Sequence, residues 1–458
     1  VTITGRAVLL AVAGLVPVAL WPVPGTVVAW AGFVVVACVA DALIAASPRR
    51  VELTRHVPPS VRLGQGATSE IAVVNLGGRT LRALVRDAWP PSVAVGAASA
   101  EGGDAAGAAV GAAAARTVRT ARHHVRLRDG DGARLATPLL PTRRGDRAAG
   151  PVTVRSFGPL GLAARQATLA VPARLRVLPE FSSRRHLPSR LARLREMDGR
   201  SAVQVRGEGT EFDSLREYVV GDDVRSIDWR ATARRADVVV RTWRPERDRR
   251  VLIVLDSGRT SATRIGSGAG GTGSPRLDAS IEAALLLAAL ADRAGDRVQV
   301  LAFDRTLRAR VAGASGRRLL PELADALAGV EPRLLETDWP GLVGQVRTHV
   351  SQRALVVLLT ALDPAAVENG LLGVVDQLAG THQVVVAGVA DAEVAALRAG
   401  RDSVSVYDAA AAARGDLEHA AVAAVLRRHG AQVVEALPET LPPALADTYL
   451  SLKAAGRL

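Results

Sequence analysis

Lysine is almost missing. Lys453 is the only one in a chain of 458 residues whose formal net charge is +13, so arginine supplies nearly all of the positive charge. A P-loop ATPase needs a lysine on the phosphates after its glycines, and the glycine-rich run 266–273 (GSGAGGTG) contains none. ATP hydrolysis by that route is excluded and no bound nucleotide is expected. Schiff-base chemistry is disfavoured as well, because Lys453 lies in a terminal segment. Cysteine is equally scarce: Cys38 sits alone in an apolar segment, which rules out an internal disulfide and a thiolate zinc cluster. Aromatic residues make up 3% of the chain, so alanine, valine and leucine must fill its cores, for which 48% hydrophobic content is ample. The arginines are spread along the chain without an aromatic–basic stripe, the pattern of a solvated surface rather than a nucleic-acid footprint. The length predicts two to four units.

Two apolar runs open the chain, residues 7–20 and 26–46, parted by Trp21-Pro22-Val23-Pro24-Gly25. Residues 1–48 are expected to form a transmembrane helix hairpin in the cell membrane: the second run has the roughly 20 residues of a bilayer span, and the first suffices if it starts near Ile3. Arg6 precedes the pair, Arg49 and Arg50 follow it, and the turn is uncharged, so the positive-inside rule puts both ends and everything after them in the cytoplasm. Two runs around a Pro/Gly turn argue against a cleaved leader. Asp41 is expected at the membrane interface.

From residue 49 to 180 short β-type runs alternate with turn signals, the texture of an antiparallel β-sandwich. Residues 96–115 are nearly all glycine and alanine and read as a loose, low-complexity insertion. His123 and His124 are adjacent, so on a strand they face opposite ways and make a poor ligand pair. Residues 181–206 are arginine-rich and read as a connecting helix, a solvated linker ahead of the alternative of a basic amphipathic helix lying on anionic lipid.

Residues 207–256 hold the densest mixture of acids, arginines and aromatics in the chain. Thr210 and Asp213 make a helix start, Phe212, Leu215 and Val219 share a helical face, and Gly221 is its natural stop. Ser226 caps a second short helix, after which Val238–Val240 and Val251–Leu255 read as strands. The motif Gly207-x-Gly209-x-Glu211-Phe212, Leu215-Arg216-x-Tyr218, Gly221-Asp222-x-x-Arg225-x-Ile227-Asp228-Trp229, Ala233-Arg234 and Glu246 resembles the signature of the family called domain of unknown function 58, a relative of the von Willebrand factor A domains. Arg144-Gly145 and Phe157-Gly158-Pro159-Leu160-Gly161-Leu162 resemble what precedes that signature in the same family.

After Asp256 helical and strand patterns alternate: Leu277–Ala294 helix, Arg297–Phe303 strand, Arg318–Leu327 helix, Ala354–Thr360 strand, Pro364–Ala379 helix, Gln383–Val389 strand and 415–429 helix. Continuous apolar strands between helices predict a mostly parallel sheet with helices on both faces; the family resemblance implies that residues 207–458 are the signature plus a von Willebrand factor A-like α/β domain. Asp256 and Asp363 fall at strand carboxyl ends, where such sheets bind ligands, and the signature collar is expected on that same rim.

The resemblance carries further implications. Von Willebrand A domains hold a divalent cation with a D-x-S-x-S loop, a threonine from a second loop and an aspartate after the fourth strand, a hard-cation set of oxygens. The matching loop here is Asp256-Ser257-Gly258-Arg259-Thr260, where Gly258 lacks a hydroxyl. Asp256, Thr260 and Asp363 are therefore candidates for a degenerate site for Mg2+ or another divalent cation, with Thr337 or Asp338 from the second loop; in the other reading Asp256 is a structural acid that caps the following turn or pairs with a nearby arginine. Relatives are associated with MoxR-type AAA+ ATPases, which implies a non-enzymatic membrane adaptor in assembly or remodelling of envelope or membrane proteins. On that reading Glu211, Arg216, Tyr218, Asp222, Arg225, Asp228 and Trp229 form the partner surface, and Gly207, Gly209 and Gly221 shape it. The acids also have a plainer reading, ion pairing with Arg216, Arg225 and Arg230 that pins a loop. Two other functions stay open: a metal-dependent hydrolase using Glu211, Asp222, Asp228 and Asp256, and a purely structural membrane scaffold.

Overall fold

The computed structural model describes residues 1–96, 120–204, 211–220, 222–235, 237–244, 249–266, 273–364, 367–397 and 405–458. Most of the insertion at 96–115 and of the run 266–273 lies outside the described residues, as do Gly207, Gly209, Gly221 and Glu246. The chain divides into two compact units, Val1–Leu178 and Pro179–Leu458.

The first unit opens with β1 (Thr2–Ile3) and the helices α1 (Gly5–Ala13), α2 (Leu15–Leu20) and α3 (Pro24–Ile44). Gly14 separates α1 from α2, and a side chain there would collide with the Trp30 indole, whose Nε1 donates to the Leu10 carbonyl at 3.2 Å. Among the described helices α3 alone is long and apolar enough to cross a bilayer by length and composition. It starts at Pro24, two residues before the apolar run, because proline at the first helical position gives up an N–H that has no partner there anyway.

The strands that follow are β2 (Val51–His56), β3 (Ser60–Arg62), β4 (Ala67–Asn75), β5 (Leu81–Asp87), β6 (Val93–Val95), β7 (Ala121–Leu127), β8 (Gly132–Pro141), β9 (Gly145–Ala148), β10 (Val152–Phe157), β11 (Ala163–Leu169) and β12 (Arg174–Leu178). One antiparallel sheet runs β1-β11-β10-β5-β7 and a second runs β2-β4-β8-β6. Most of these strands alternate: along β7 every second residue is buried, so His123 points inward, 3.0 Å from Thr137 Oγ1, and His124 points to solvent. Burial lowers the His123 pKa, with nearby Asp87 opposing it. Ile71 and Val73 from the second sheet meet Leu81, Val85, Val125 and Val154 from the first in one core. A small third sheet, β3-β12-β9, departs from the antiparallel expectation because β12 pairs with β3 in parallel.

A charged pair crosses the space between the two larger sheets. Arg55 on β2 reaches Asp87 on β5 at 2.5 Å, with both side chains fully buried. Arg55 Nη1 also donates to the carbonyls of Gly150 and Val171, and Asp87 Oδ2 accepts from Ser69 Oγ and Trp89 Nε1.

The second unit does not begin as a solvated linker. Helix Leu187–Gln204 lays Leu187, Leu191 and Leu194, at helical spacing, onto the same core as helix Arg276–Arg293, and Arg190 pairs with Asp447 at 2.9 Å. The apolar stripe outweighs the arginines around it. After it come β13 (Glu211–Glu217), β14 (Val239–Arg244) and β15 (Arg250–Asp256), then the short pair β16 (Arg264–Ile265) and β17 (Ser274–Pro275). Strands β18 (Arg297–Phe303), β19 (Leu307–Val311), β20 (Leu355–Leu359), β21 (Gln383–Val389) and β22 (Gln432–Ala436) complete the set.

The six-stranded sheet has the order β19-β18-β15-β20-β21-β22. It is parallel from β18 to β22 and mixed overall, since β19 turns back antiparallel at one edge. Val251, Ile253 and Leu255 of β15 face one core, with helices Arg276–Arg293, Leu319–Ala328 and Leu441–Ala454. Leu252 and Val254 face the other, with helices Trp339–His349 and Leu372–Ala379. Both sides are covered, which is why these strands read as unbroken apolar runs. Lys453, the sole lysine, is nine-tenths buried at the foot of the sheet. Its Nζ sits 2.8 Å from Asp296 Oδ1, while Tyr449 donates to Asp296 Oδ2 at 2.5 Å.

Candidate functional site

Asp256 is the last residue of β15, where the backbone leaves the sheet at its carboxyl rim. Its carboxylate is buried and accepts four hydrogen bonds. Oδ1 takes the Gly258 N–H at 2.8 Å and the Thr337 hydroxyl at 2.6 Å, and Oδ2 takes the hydroxyls of Thr260 at 3.1 Å and Thr360 at 2.7 Å. A carboxylate offers about four acceptor positions, so this one is saturated. The loop explains its glycine: a Cβ at 258 would collide with Thr337 Oγ1. Asp338, the alternative second-loop residue, instead caps helix Trp339–His349 by accepting the Gly341 N–H. Beside Asp256 on the rim, buried Asp304 follows β18 and accepts from the backbone of Arg305 and Thr306 and from Arg308 Nε. Burial pushes its pKa up, but those donors more than offset it and hold it below the ordinary carboxylate range.

Asp363, expected as the third cation ligand, is held by cations of the chain itself. His419 Nε2 lies 3.3 Å from Asp363 Oδ1, Arg276 Nη1 lies 3.6 Å from Oδ2, and the other ring nitrogen of His419 meets Glu435 at 3.0 Å. Hydrogen bonds to Asp363 and then Glu435 push the His419 pKa up to about 10, while His419 and Arg276 hold Asp363 below its usual range. Arg276 Nη1 also donates to the Thr260 carbonyl at 3.2 Å. The structure thus brings Asp256 and Thr260 together and sets a guanidinium against both the Thr260 loop and Asp363. This donor set fits a divalent cation poorly: one offset carries no hydroxyl, the central carboxylate is saturated, and a fixed positive charge stands alongside. Among the described residues no group of three or more His, Cys, Asp or Glu side chains is arranged to hold a metal.

Sequence reasoning missed Thr360, Asp304, Arg276, His419 and Glu435. For the first two a signal was there: each is a polar residue ending or following an apolar strand (LVVLLT, VLAFD). The other three come from separate elements, and only the fold assembles them.

The signature is built differently from its expectation. Glu211–Glu217 is a strand, not a helix: β13 pairs antiparallel with β14, with Phe212 opposite Trp243 and Arg216 opposite Val240. The β-branched run of β14 supplies a ladder that a lone helical turn cannot match. The two strands form a sheet of their own, and β14 leads into the amino end of β15, the opposite end from Asp256. The collar is therefore a separate ribbon and not part of the wound sheet's carboxyl rim.

Between its strands the ribbon carries a 3-10 turn (Val224–Ser226) and a short helix (Trp229–Arg235). Arg216 and Asp222 form a two-pronged pair at 2.6 and 2.5 Å, and Asp222 also accepts the Val219 N–H. Asp223 accepts the Arg225 N–H, leaving the Arg225 side chain exposed. Asp228 caps the short helix through the N–H groups of Arg230 and Ala231 and pairs with Arg241 at 2.8 Å rather than with Arg230. Arg241 and these N–H groups hold its pKa down. The Tyr218 N–H donates to the Val238 carbonyl. On this ionic frame Val220 is 94% exposed, Trp229 65%, Val219 62% and Val224 60%. Of Glu211 the backbone alone is described.

Residues 214–432 match the family model described as Protein of unknown function DUF58. The match to DUF58 takes in the ribbon from Ser214 onward, the sheet from β15 to the first residue of β22, and Asp256, Asp363 and His419, while Glu435 lies beyond it. No curated protein matches the chain. Among solved structures, similarity reaches a FixG-related protein from Vibrio parahaemolyticus (8% identity, 28% of this chain and 96% of that one, TM-score 0.17). It also reaches the CARDB domain of a Pyrococcus furiosus protein in complex with di-metal ions (15% identity, 28% and 91%, TM-score 0.18). A third is a cohesin module from a Clostridium perfringens family 33 glycoside hydrolase (10% identity, 28% and 96%, TM-score 0.20).

Proposed function

We propose that this chain is a non-enzymatic adaptor, anchored in the cell membrane by its leading helices, that docks a separate MoxR-type AAA+ ATPase through the signature ribbon during assembly or remodelling of envelope or membrane proteins. The observation that carries the reading is the exposed Trp229 with Val219, Val220 and Val224, set on a ribbon whose shape is fixed by Arg216–Asp222 and Asp228–Arg241. Exposed tryptophan on a rigid ionic frame has the make-up of an interface hot spot. The ATPase itself comes from the family resemblance, and the single buried lysine agrees with a motor carried on another chain.

The wound sheet is read as von Willebrand factor A-like, with Asp256 as a hydrogen-bonded hub in place of a cation seat. The leading helices are read as a two-span hairpin with both units cytoplasmic, supported by Arg6, Arg49 and Arg50 at its ends.

The test is co-purification of the detergent-solubilised full chain with such an ATPase, with and without nucleotide. Trp229→Ala and Asp228→Ala are expected to abolish capture. Trp229→Ala should leave thermal stability within about 0.5 kcal/mol of the parent, as for other exposed substitutions. Capture unaffected by both variants would remove the ribbon as the docking surface.

A further inference from the structure

Asp41 sits one turn before the end of α3, yet it does not face lipid or water. It is 1% exposed, and its carboxylate accepts the backbone N–H groups of Leu160 at 2.8 Å, Leu162 at 2.7 Å and Ala163 at 3.0 Å. A Cβ at Gly158 would collide with Asp41, so the glycine lets the loop come this close. Two more contacts tie the same region together. Thr4, just before α1, donates to the Gly161 and Leu162 carbonyls, and Arg79 Nη1 donates to the Leu43 and Ile44 carbonyls at the end of α3. The loop 158–162 and the turn 76–79 are therefore fastened at the level of the last turn of α3.

That level can be located. The 21 residues of α3 rise about 30 Å, which is about the thickness of a bilayer's hydrocarbon core. With α3 spanning, Asp41 lies about 5 Å inside the helix end, so the fastened loops sit among the lipid headgroups. Their exposed side chains suit that position. Leu160 is 60% exposed and Leu76 56%, two large apolar groups on loop tips. Around them stand the exposed guanidinium groups of Arg6, Arg79 and Arg82, and Asp129 accepts the Gly78 N–H of this turn.

We propose that the loops 76–79 and 158–162 form a lipid-docking face of the first unit, in which Leu76 and Leu160 dip into the interface and Arg6, Arg79 and Arg82 bind the phosphates of anionic lipid. The proposal rests on reading α3 as a span, and it goes further: the sheets are held against the bilayer surface rather than hung from it. Arginine suits the role because its planar guanidinium pairs with phosphate in two-pronged fashion.

The single cysteine supplies the test. The full chain is reconstituted in nanodiscs of phosphatidylcholine alone or with equal parts phosphatidylglycerol, carrying an environment-sensitive fluorophore at Cys38, or at Leu160→Cys in a Cys38→Ser background. The Cys38 probe is expected to report hydrocarbon in both lipids. The Leu160 probe is expected to shift to the blue and gain protection from aqueous quencher in the anionic discs, and to lose most of that shift in high salt and in Arg79→Glu/Arg82→Glu. An unchanged first-unit melting transition shows that this variant stays folded. A Cys38 probe in lipid with a Leu160 probe as open to quencher as one at exposed Leu334 overturns the docking face alone. A Cys38 probe in water overturns the spanning reading and the docking face with it.

Discussion

In the first unit the strands alternate between buried and exposed residues, and a charged pair, Arg55 with Asp87, is carried right through the core. In the second unit the central strands are apolar on both sides, and the charges that matter lie at strand ends: Asp256 and Asp304 at one rim, Asp296 with Lys453 at the other. The first unit divides its apolar residues between two smaller clusters, and the Arg55–Asp87 pair is buried among strands that alternate. A sheet covered on both faces leaves its strand interiors to apolar residues, and its buried carboxylates sit at strand ends, where loop hydroxyls, backbone N–H groups and charged side chains satisfy them.

The contrast can be broken most severely at the Arg55–Asp87 pair. Asp87→Ala strands the Arg55 guanidinium in the core, and a calorimetric scan should show the first-unit transition lowered by about 3–5 kcal/mol. Pairing it with Arg55→Met should recover much of that loss, because an apolar pair leaves no buried charge behind.

Asp256→Ala strands the Thr337 and Thr360 hydroxyls and the Gly258 N–H, at an expected cost of about 2–3 kcal/mol in the second-unit transition. Millimolar Mg2+ should leave the parent transition unmoved, and a rise in Tm would show that the hub accepts a cation after all. Lys453→Met removes the Nζ hydrogen bond to Asp296 while that of Tyr449 stays, so about 2 kcal/mol is expected there.

The mildest departure concerns pH. His419 has its pKa raised to about 10 by Asp363 and Glu435. A histidine whose folded pKa is raised stabilises fully below its unfolded value of about 6.5, and that contribution fades as pH climbs through 10. The gap in Tm between parent and His419→Gln is therefore expected to be widest below pH 6.5 and to close by about pH 10. A gap that does not change with pH would mean the imidazole acts by packing alone.

How much of this was legible depends on how local the cause is. The central strands and helix Arg276–Arg293 announce themselves by long apolar runs, and the alternation along β7 predicted that His123 and His124 would part. Strand β13 was misread because Phe212, Leu215 and Val219 fit a helical spacing, and its true partner, β14, lies more than twenty residues on. Helix Leu187–Gln204 was misread because its arginines outnumber its leucines, although the leucines decide where it packs. The Asp256 loop could be found from its own residues. The bridge from Asp363 through His419 to Glu435 could not, since those residues come from three elements that only the sheet order makes neighbours.

The buried amine of Lys453 has a practical side. With the single lysine locked against Asp296 and Tyr449, the remaining positive side chains are arginines and histidines, so acetylation has no accessible lysine with which to tune the surface charge. Amine-directed cross-linkers will likewise find no exposed lysine by which to trap a complex on this chain, and a partner must be sought with reagents aimed at carboxylates or at an introduced thiol.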